Sequence, residues 1–271
     1  DDKEAVKWYR KAAELGHAMA MYALGVMYDN GEGVIEDDKE AVKWYRKAAE
    51  LGYARAMVNL GRMYANGEGV TQDFKEAVKW FRKAAELGYA KAMFNLGRMY
   101  ANGEGVTQDF KEAVKWFRKA AEMGNAKAMF YLGLMYKFGG GVIEDDKEAV
   151  KWYRKAAELG HAKAMWALGG MYANGMGVIE DDKEAVKWYR KAAELGNELA
   201  MTYLGFMHVT GEGVIEDAVE AYAWINVTAE NGQNQKTAAK LRDNIKKTMT
   251  PEQIAEGQKR SREIMKSISK N

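Results

Sequence analysis

The chain has 271 residues, of which 48% are apolar and 30% are charged, with a formal net charge of +2 and no cysteine. This balance argues against a disordered chain, and the lack of cysteine excludes disulfides, thiolate nucleophiles and cysteine-based metal sites. No apolar run approaches the roughly 20 residues of a membrane span, and a single proline among many Ala, Lys, Glu and Met residues favours helix throughout.

An internal repeat organises most of the chain. The stretch Val34–Gly52 recurs letter for letter at Val142–Gly160 and Val178–Gly196. A tryptophan recurs with it every 36 residues, at Trp8, Trp44, Trp80, Trp116, Trp152, Trp188 and Trp224. A fixed period of this length is typical of a solenoid, in which each unit packs only on its neighbours. We therefore divide residues 1–232 into a half repeat (1–16) and six repeats (17–52, 53–88, 89–124, 125–160, 161–196 and 197–232).

Each repeat is predicted to contain two helices joined by a glycine-rich loop. His17–Asn30 carries small and apolar residues at helical spacing, and two glycines in Gly31–Val34 break the helix. Asp37–Leu51 carries a second apolar stripe and begins with an aspartate cap that has a glutamate three residues later. We expect the glycines that end these second helices to adopt the left-handed conformation; they are Gly16, Gly52, Gly88, Gly124, Gly160, Gly196 and Gly232.

The two ends of the chain differ from the repeats. Residues 233–271 are predicted to form capping helices at Lys236–Lys247 and Pro251–Ile268, the second starting after a Thr250 cap. At the other end, residues 1–16 form a lone second helix whose Trp8 and Tyr9 have no preceding unit to pack on. We expect either self-association through this helix or further chain upstream of Asp1.

The repeat motif resembles a known family. A-x-A-M-x-x-L-G-x-M-Y-x-x-G-x-G-V, followed by D-x-x-E-A-x-x-W-Y/F-x-x-A-A-E-x-G, is similar to the Sel-one-like repeat (SLR) family over residues 1–232. The resemblance implies an all-α fold, an α/α superhelical solenoid of 36-residue helix-turn-helix repeats related to tetratricopeptide repeats. It also implies that the first helices line the concave surface, and that the protein is a non-enzymatic scaffold or adaptor, commonly bacterial and often in the cell envelope.

The first helices vary between repeats while the second helices are nearly invariant. Counted from zero at His17 and its equivalents, positions 2, 5, 6, 9, 12 and 13 change, and they fall within an arc of about 120°. We call this face the variable strip. Its predicted partner-binding residues are Tyr22, Arg55, Asn59, Arg62, Lys91, Phe94, Asn95, Arg98, Lys127, Phe130, Tyr131, Lys163, Trp166, Tyr203 and Phe206.

Arginine and aromatic side chains are enriched at binding hot spots. The middle repeats are therefore expected to hold a protein or peptide segment of acidic character, with Arg62 and Arg98 pairing with its carboxylates. Against this stands the interpretation that variation reflects exposure alone, and that some aromatic residues at positions 5 and 6 pack between neighbouring first helices.

Two further functions stay open. Residues 233–271 hold ten Lys/Arg against four Asp/Glu, so a second hypothesis is binding of an anionic polymer, either nucleic acid or cell-envelope glycan. The repeat region argues against nucleic acid, because it contains 31 basic and 35 acidic residues and so is not basic overall. A third hypothesis is a structural or engineered repeat array without a ligand, since residues 59–86 and 95–122 are identical.

No residue set for catalysis, a cofactor or a metal is found. His17 and His161 stand 144 residues apart at equivalent helix starts, and His208 replaces the packing-face tyrosine of the other repeats. The acidic loops lack the alternating ligand spacing of a calcium site, and phosphate-binding and nucleophile-elbow motifs are absent. The compartment, cytoplasm or periplasm, is not determined by these features.

Overall fold

The computed structural model describes residues 1–232 and 235–269, and these contain fifteen α-helices and no β-strand. Consecutive helices pack in pairs as in a solenoid, which confirms the predicted all-α fold class. Residues 233, 234, 270 and 271 of the predicted C-terminal segment lie outside the described residues. None of the described helices combines the length and the apolar character that crossing a membrane requires.

The chain divides into two compact units. The first comprises Asp1–Ala128 with Gly140–Val142, and the second comprises Met129–Gly139 and the described residues from Ile143 onward. The first unit contains α1 (Asp2–Glu14), α2 (Ala18–Asn30), α3 (Asp38–Glu50), α4 (Ala54–Asn66), α5 (Phe74–Glu86), α6 (Ala90–Asn102) and α7 (Phe110–Glu122). Helix α8 (Ala126–Phe138) begins in the first unit and continues in the second.

The second unit contains the remaining helices. These are α9 (Asp146–Glu158), α10 (Ala162–Ala173), α11 (Asp182–Glu194), α12 (Glu198–Thr210), α13 (Ala218–Asn231), α14 (Gln235–Lys246) and α15 (Pro251–Ile268). Both α14 and α15 pack against α13, as expected of a C-terminal helical cap. The α15 start also has the expected capping box, in which Thr250 Oγ1 accepts from the Gln253 amide and the Gln253 side chain accepts from the Thr250 amide.

Side-chain caps start the second helices. The Asp37 carboxylate accepts a hydrogen bond of 3.0 Å from the Glu40 backbone amide, satisfying one of the amides that a helix start leaves unpaired. Asp73, Asp109, Asp145, Asp181 and Asp217 do the same at their helices. The predicted start signal is therefore built into every repeat by one aspartate.

The glycine at the centre of each first helix lets the two helices of a repeat approach closely. A Cβ placed on Gly61 of α4 would lie 2.7 Å from the Phe81 ring of α5, and one on Gly169 of α10 would lie 2.8 Å from the Tyr189 ring of α11. The leucine that precedes this glycine, such as Leu60 or Leu168, has no exposed surface. An aromatic ring of the second helix is thus seated on a glycine of the first helix in every repeat but the last, where Ile225 lies on Gly205.

The expectation for Gly232 is wrong. The other glycines named above have φ between 80° and 88°, in the left-handed region, whereas Gly232 is extended with φ −84° and ψ 163°. Its amide donates to the Thr228 carbonyl, and α13 runs one residue longer than the other second helices. The helix therefore ends without the left-handed turn that closes the repeats before it.

Candidate partner-binding surface

The variable strip lies on α2, α4, α6, α8, α10 and α12, and most of its predicted residues reach the surface. Seven are exposed: Arg55, Lys91, Arg98, Lys127, Lys163, Tyr203 and Phe206. Seven are half-buried: Tyr22, Asn59, Arg62, Asn95, Phe130, Tyr131 and Trp166. The remaining one, Phe94, is buried.

Phe94 belongs to the variable strip but is not accessible to a partner as predicted. Its side chain is 7% exposed, and its ring centroid lies 6.0 Å from that of Phe117 on α7. Val58 at the same repeat position is 2% exposed, and the Tyr22 ring lies 5.9 Å from the Tyr45 ring. This position borders the second helix of its own repeat, so its side chains pack inward although they vary between repeats.

Arg62 is held by acids of the protein itself. Its Nη2 lies 2.6 Å from Asp29 Oδ2 of the preceding repeat, and its Nη1 pairs with Glu68 of the loop that follows α4. Tyr45 donates a hydrogen bond of 3.0 Å to the same Asp29 oxygen. Burial is the largest single effect on the Arg62 pKa and lowers it, but the hydrogen bond and charge of Asp29, together with the charge of Glu68, outweigh burial and raise that pKa. We expected Arg62 to meet a partner's carboxylate, and the structure shows that it already has two.

A cavity of about 530 Å³ lies between α4 and α6 in the first unit. Polar and basic strip residues line it, namely Asn59, Arg62, Lys91, Asn95 and Arg98, together with Glu104. Its apolar wall includes Ala65 and the Phe81 ring. In the part of the chain that the structure describes, Arg98 makes no hydrogen bond or ion pair, and it is exposed. This places a basic side chain without an acid partner in a cleft of ligand-binding size.

A second, aromatic cavity of about 250 Å³ lies in the second unit. Phe130, Trp166 and Tyr203 of the variable strip line it, with Tyr189 of α11. The Tyr189 and Tyr203 rings are stacked with centroids 5.4 Å apart, and the Trp166 ring lies 6.5 Å from that of Tyr203. Such rigid aromatic side chains suit an apolar side chain of a binding partner.

Sequence reasoning missed several residues of these cavities. Phe81 and Tyr189 belong to the second helices, which lie outside the variable strip because they scarcely vary between repeats. Lys137, which also lines the aromatic cavity, bonds to Asp146 at 2.8 Å and to the Met176 sulfur at 3.1 Å. A position that is aromatic in nearly every repeat gives little variation signal, so only the packing of α4 on α5, or of α10 on α11, shows that its ring lines a cavity.

The histidines do not form a shared site. His161 caps α10, its Nδ1 accepting from the Ala164 amide at 3.2 Å, and His17 precedes α2 without a side-chain cap. No group of three or more His, Asp or Glu side chains able to hold a metal occurs in the described ranges.

His208 is buried in the second unit, as its position on the packing face predicts. It stands where other repeats have a tyrosine that accepts from a second-helix arginine, as Tyr28 does from Arg10 at 2.7 Å. The His208 Nε2 lies 3.4 Å from Arg190 Nη2. Burial, and then the charge of Arg190, lower the His208 pKa, against smaller opposing effects of Glu220 and Asp217.

We expect His208→Tyr to reduce the loss of stability on acidification. Because folding lowers the His208 pKa, the unfolded chain takes up this proton first as the pH falls from about 6.5, which favours unfolding. Urea unfolding followed by circular dichroism at pH 7.5 and 5.5 measures the difference for the two proteins. His17, His161 and the carboxylates are common to both, so an equal loss in the two proteins would contradict the assignment to His208.

Comparisons with known proteins agree with this architecture. Consecutive matches to the Sel1 repeat family model cover residues 1–17, 18–53, 54–89, 90–125, 126–161, 162–197 and 199–233. A Sel1 repeat protein from Oxalobacter formigenes, solved by crystallography, is 41% identical with a TM-score of 0.80, covering 84% of this chain and 94% of that protein. No match was found among curated proteins.

Two more distant solved structures are also similar to the chain. A protective antigen from uropathogenic Escherichia coli with an SLR fold is 29% identical with a TM-score of 0.44, over 99% of this chain and 73% of that one. An immunity protein from Pseudomonas aeruginosa is 22% identical with a TM-score of 0.50, over 84% of this chain and 81% of that one. At this identity, the second likeness concerns the fold alone.

Proposed function

Because the chain belongs to the Sel1 repeat family, whose members are generally non-catalytic protein-interaction scaffolds, we propose that it binds a protein or peptide segment on its variable strip. The observation that carries the proposal is that both cavities of the repeat region described above are lined by residues of this strip. The residues that differ between repeats are thus largely those that a partner can touch.

Exposed aromatic residues support the strip in the second unit. Tyr203 and Phe206 on α12 are each 47% exposed, although their side chains are large and apolar. Aromatic residues of this kind are enriched at the centres of protein interfaces, where they lose their remaining contact with water. We therefore expect α12 to contribute an apolar anchor point.

The charges of the tail do not favour the anionic-polymer alternative. Arg260 on α15 pairs with Glu220 at 2.7 Å and with Glu263 at 3.3 Å, and Arg242 on α14 pairs with Asp243 at 2.9 Å. These arginines are paired with acids of the chain itself, and they are therefore less available to phosphates. Self-association through α1 stays a prediction, with Trp8 61% and Tyr9 40% exposed.

The proposal predicts that removing the α12 aromatic residues weakens partner binding. We expect Tyr203→Ala with Phe206→Ala to lose at least about tenfold in affinity, since hot-spot truncations typically cost more than about 1.4 kcal/mol. Affinity capture from cells that produce the protein, quantified by mass spectrometry, identifies the partner, and titration of that partner gives the affinity.

Two exposed isoleucines in the loops provide a matched control. Ile179 and Ile215 are each 89% exposed and lie outside the variable strip. Ile179→Ala with Ile215→Ala removes a similar kind of apolar surface and is expected to bind normally. If the α12 variant recovers the same partners with the same affinity as this control, the strip does not form the binding surface.

A further inference from the structure

Two identical stretches of consecutive repeats place the same arginine in different surroundings. Residues 59–86 and 95–122 match at every position, so Arg98 is the counterpart of Arg62. Arg62 pairs with Asp29, which belongs to the helix before it. The equivalent residue in the helix before Arg98 is Ala65.

Near Arg98, the first site's acid is missing, and so is the tyrosine hydroxyl group that bonds to that acid near Arg62. Tyr45, which donates to Asp29, is replaced by Phe81 at the wall of the cavity. Glu104 accepts from the Asn102 side chain at 3.1 Å, as its counterpart Glu68 accepts from Asn66 at 2.8 Å, but within the described residues only Glu68 also pairs with the arginine of its repeat. The result is a cavity with Arg98 and Lys91 on one side and a methyl group where the first site has a carboxylate.

We propose that this cavity binds the carboxylate of an aspartate or glutamate side chain of the partner, held by Arg98 as Arg62 holds Asp29. This inference rests on the proposed scaffold function and names the chemistry of one contact within it. A guanidinium and a carboxylate form charge-assisted hydrogen bonds, often two at once.

Charge and space both favour a carboxylate. Three basic side chains, Arg62, Lys91 and Arg98, and the single carboxylate of Glu104 line the cavity. Since Arg62 already pairs with Asp29 and Glu68, Arg98 and Lys91 are the bases that remain to meet a further carboxylate. Asn59 and Asn95 also line the cavity, and amide N–H groups of this kind can donate to a carboxylate. The volume of about 530 Å³ admits a Glu or Asp side chain with its neighbouring backbone.

The test uses two small probes of nearly the same shape, whose side chains end in a carboxylate in one and a neutral amide in the other. N-acetyl-glutamate amide and N-acetyl-glutamine amide are titrated into the full chain at constant ionic strength, and the Arg98 Nε–Hε signal is followed by NMR. We expect a saturable shift with the glutamate probe and at least about tenfold weaker binding of the glutamine probe. Equal responses to the two probes would overturn the proposal.

A pair of variants locates the binding at this cavity. Ala65→Asp rebuilds the acid of the first site, so it should shift the Arg98 signal without any probe and abolish the response to glutamate. Ala65→Asn has nearly the same shape without the charge and should retain the response. A glutamate response that survives Ala65→Asp would also overturn the proposal.

The two proposals fail separately. If the α12 aromatic residues are needed for partner capture while glutamate shows no preference at Arg98, the scaffold function stands and the carboxylate site is wrong. If glutamate binds at Arg98 but the α12 variant captures its partner as the control does, the carboxylate site stands and the binding surface proposed for α12 is wrong.

Discussion

Replacing Gly105 with alanine is expected to lower the free energy of unfolding by about 3 kcal/mol. Gly105 lies in the loop after α6 with φ +71°, a conformation that strains any other residue. A Cβ there would also lie 2.2 Å from the Phe74 carbonyl oxygen, at the start of α5. Because this is backbone against backbone, neither side can move aside without shifting the loop or the helix.

Gly88→Ala is the matched control for this prediction. Gly88 ends α5 with φ +80°, so alanine is strained there too, but a Cβ would meet no atom within 4 Å. We expect a loss of about 1–2 kcal/mol, the cost of the left-handed conformation alone. Urea unfolding measures both, and hydrogen exchange of the α5 amides shows whether the loss is local, since repeat proteins can unfold in parts. Equal losses in the two variants would show that the close contact with the Phe74 carbonyl group does not destabilise the Gly105→Ala protein.

Most of the fold could be predicted because its determinants are local and repeated. Asp37 caps α3 and Gly52 follows its end, so both boundaries are specified within a few residues of the helix. Gly232 is the exception, as a glycine that takes the left-handed turn in other repeats is extended after α13. Helix α13 is the second helix against which the C-terminal helices α14 and α15 both pack, and that tertiary environment is not encoded by the glycine itself.

For the candidate surface, the sequence predicts which face of the first helices forms it but not the contacts that its side chains make. Variation between repeats located the side chains of the strip, but it carries no information about pairing, and so Arg62 and Arg98 were treated alike. Their difference depends on residue 29 or 65, which is 33 positions earlier in the chain and one repeat away in space. Burial of Phe94 was missed for a related reason, because a helix considered alone does not show where its neighbour's ring will lie.

The last prediction compares two tryptophans at the same repeat position. Trp80 on α5 is 6% exposed and Trp8 on α1 is 61% exposed, since α5 packs between α4 and α6 while α1 packs mainly on α2. We expect Trp80→Ala to lower the free energy of unfolding by about 3–5 kcal/mol and Trp8→Ala by about 1 kcal/mol or less. Circular dichroism in urea measures both without depending on tryptophan fluorescence.

This pair of variants separates the effect of burying the ring from the effect of the lysine contact that each tryptophan makes. Lys83 lies 4.6 Å from the centre of a Trp80 ring and Lys11 lies 4.7 Å from that of a Trp8 ring, while Trp80 has a second lysine, Lys79, at 5.8 Å. One such contact contributes about 0.5–2 kcal/mol, so it cannot account for a larger difference. A large difference between the variants therefore measures the apolar area that neighbouring helices remove from water. Equal losses of unfolding free energy would instead indicate that the tryptophan stabilises the protein through the lysine above its ring. The packing of neighbouring repeats on the ring would then contribute little.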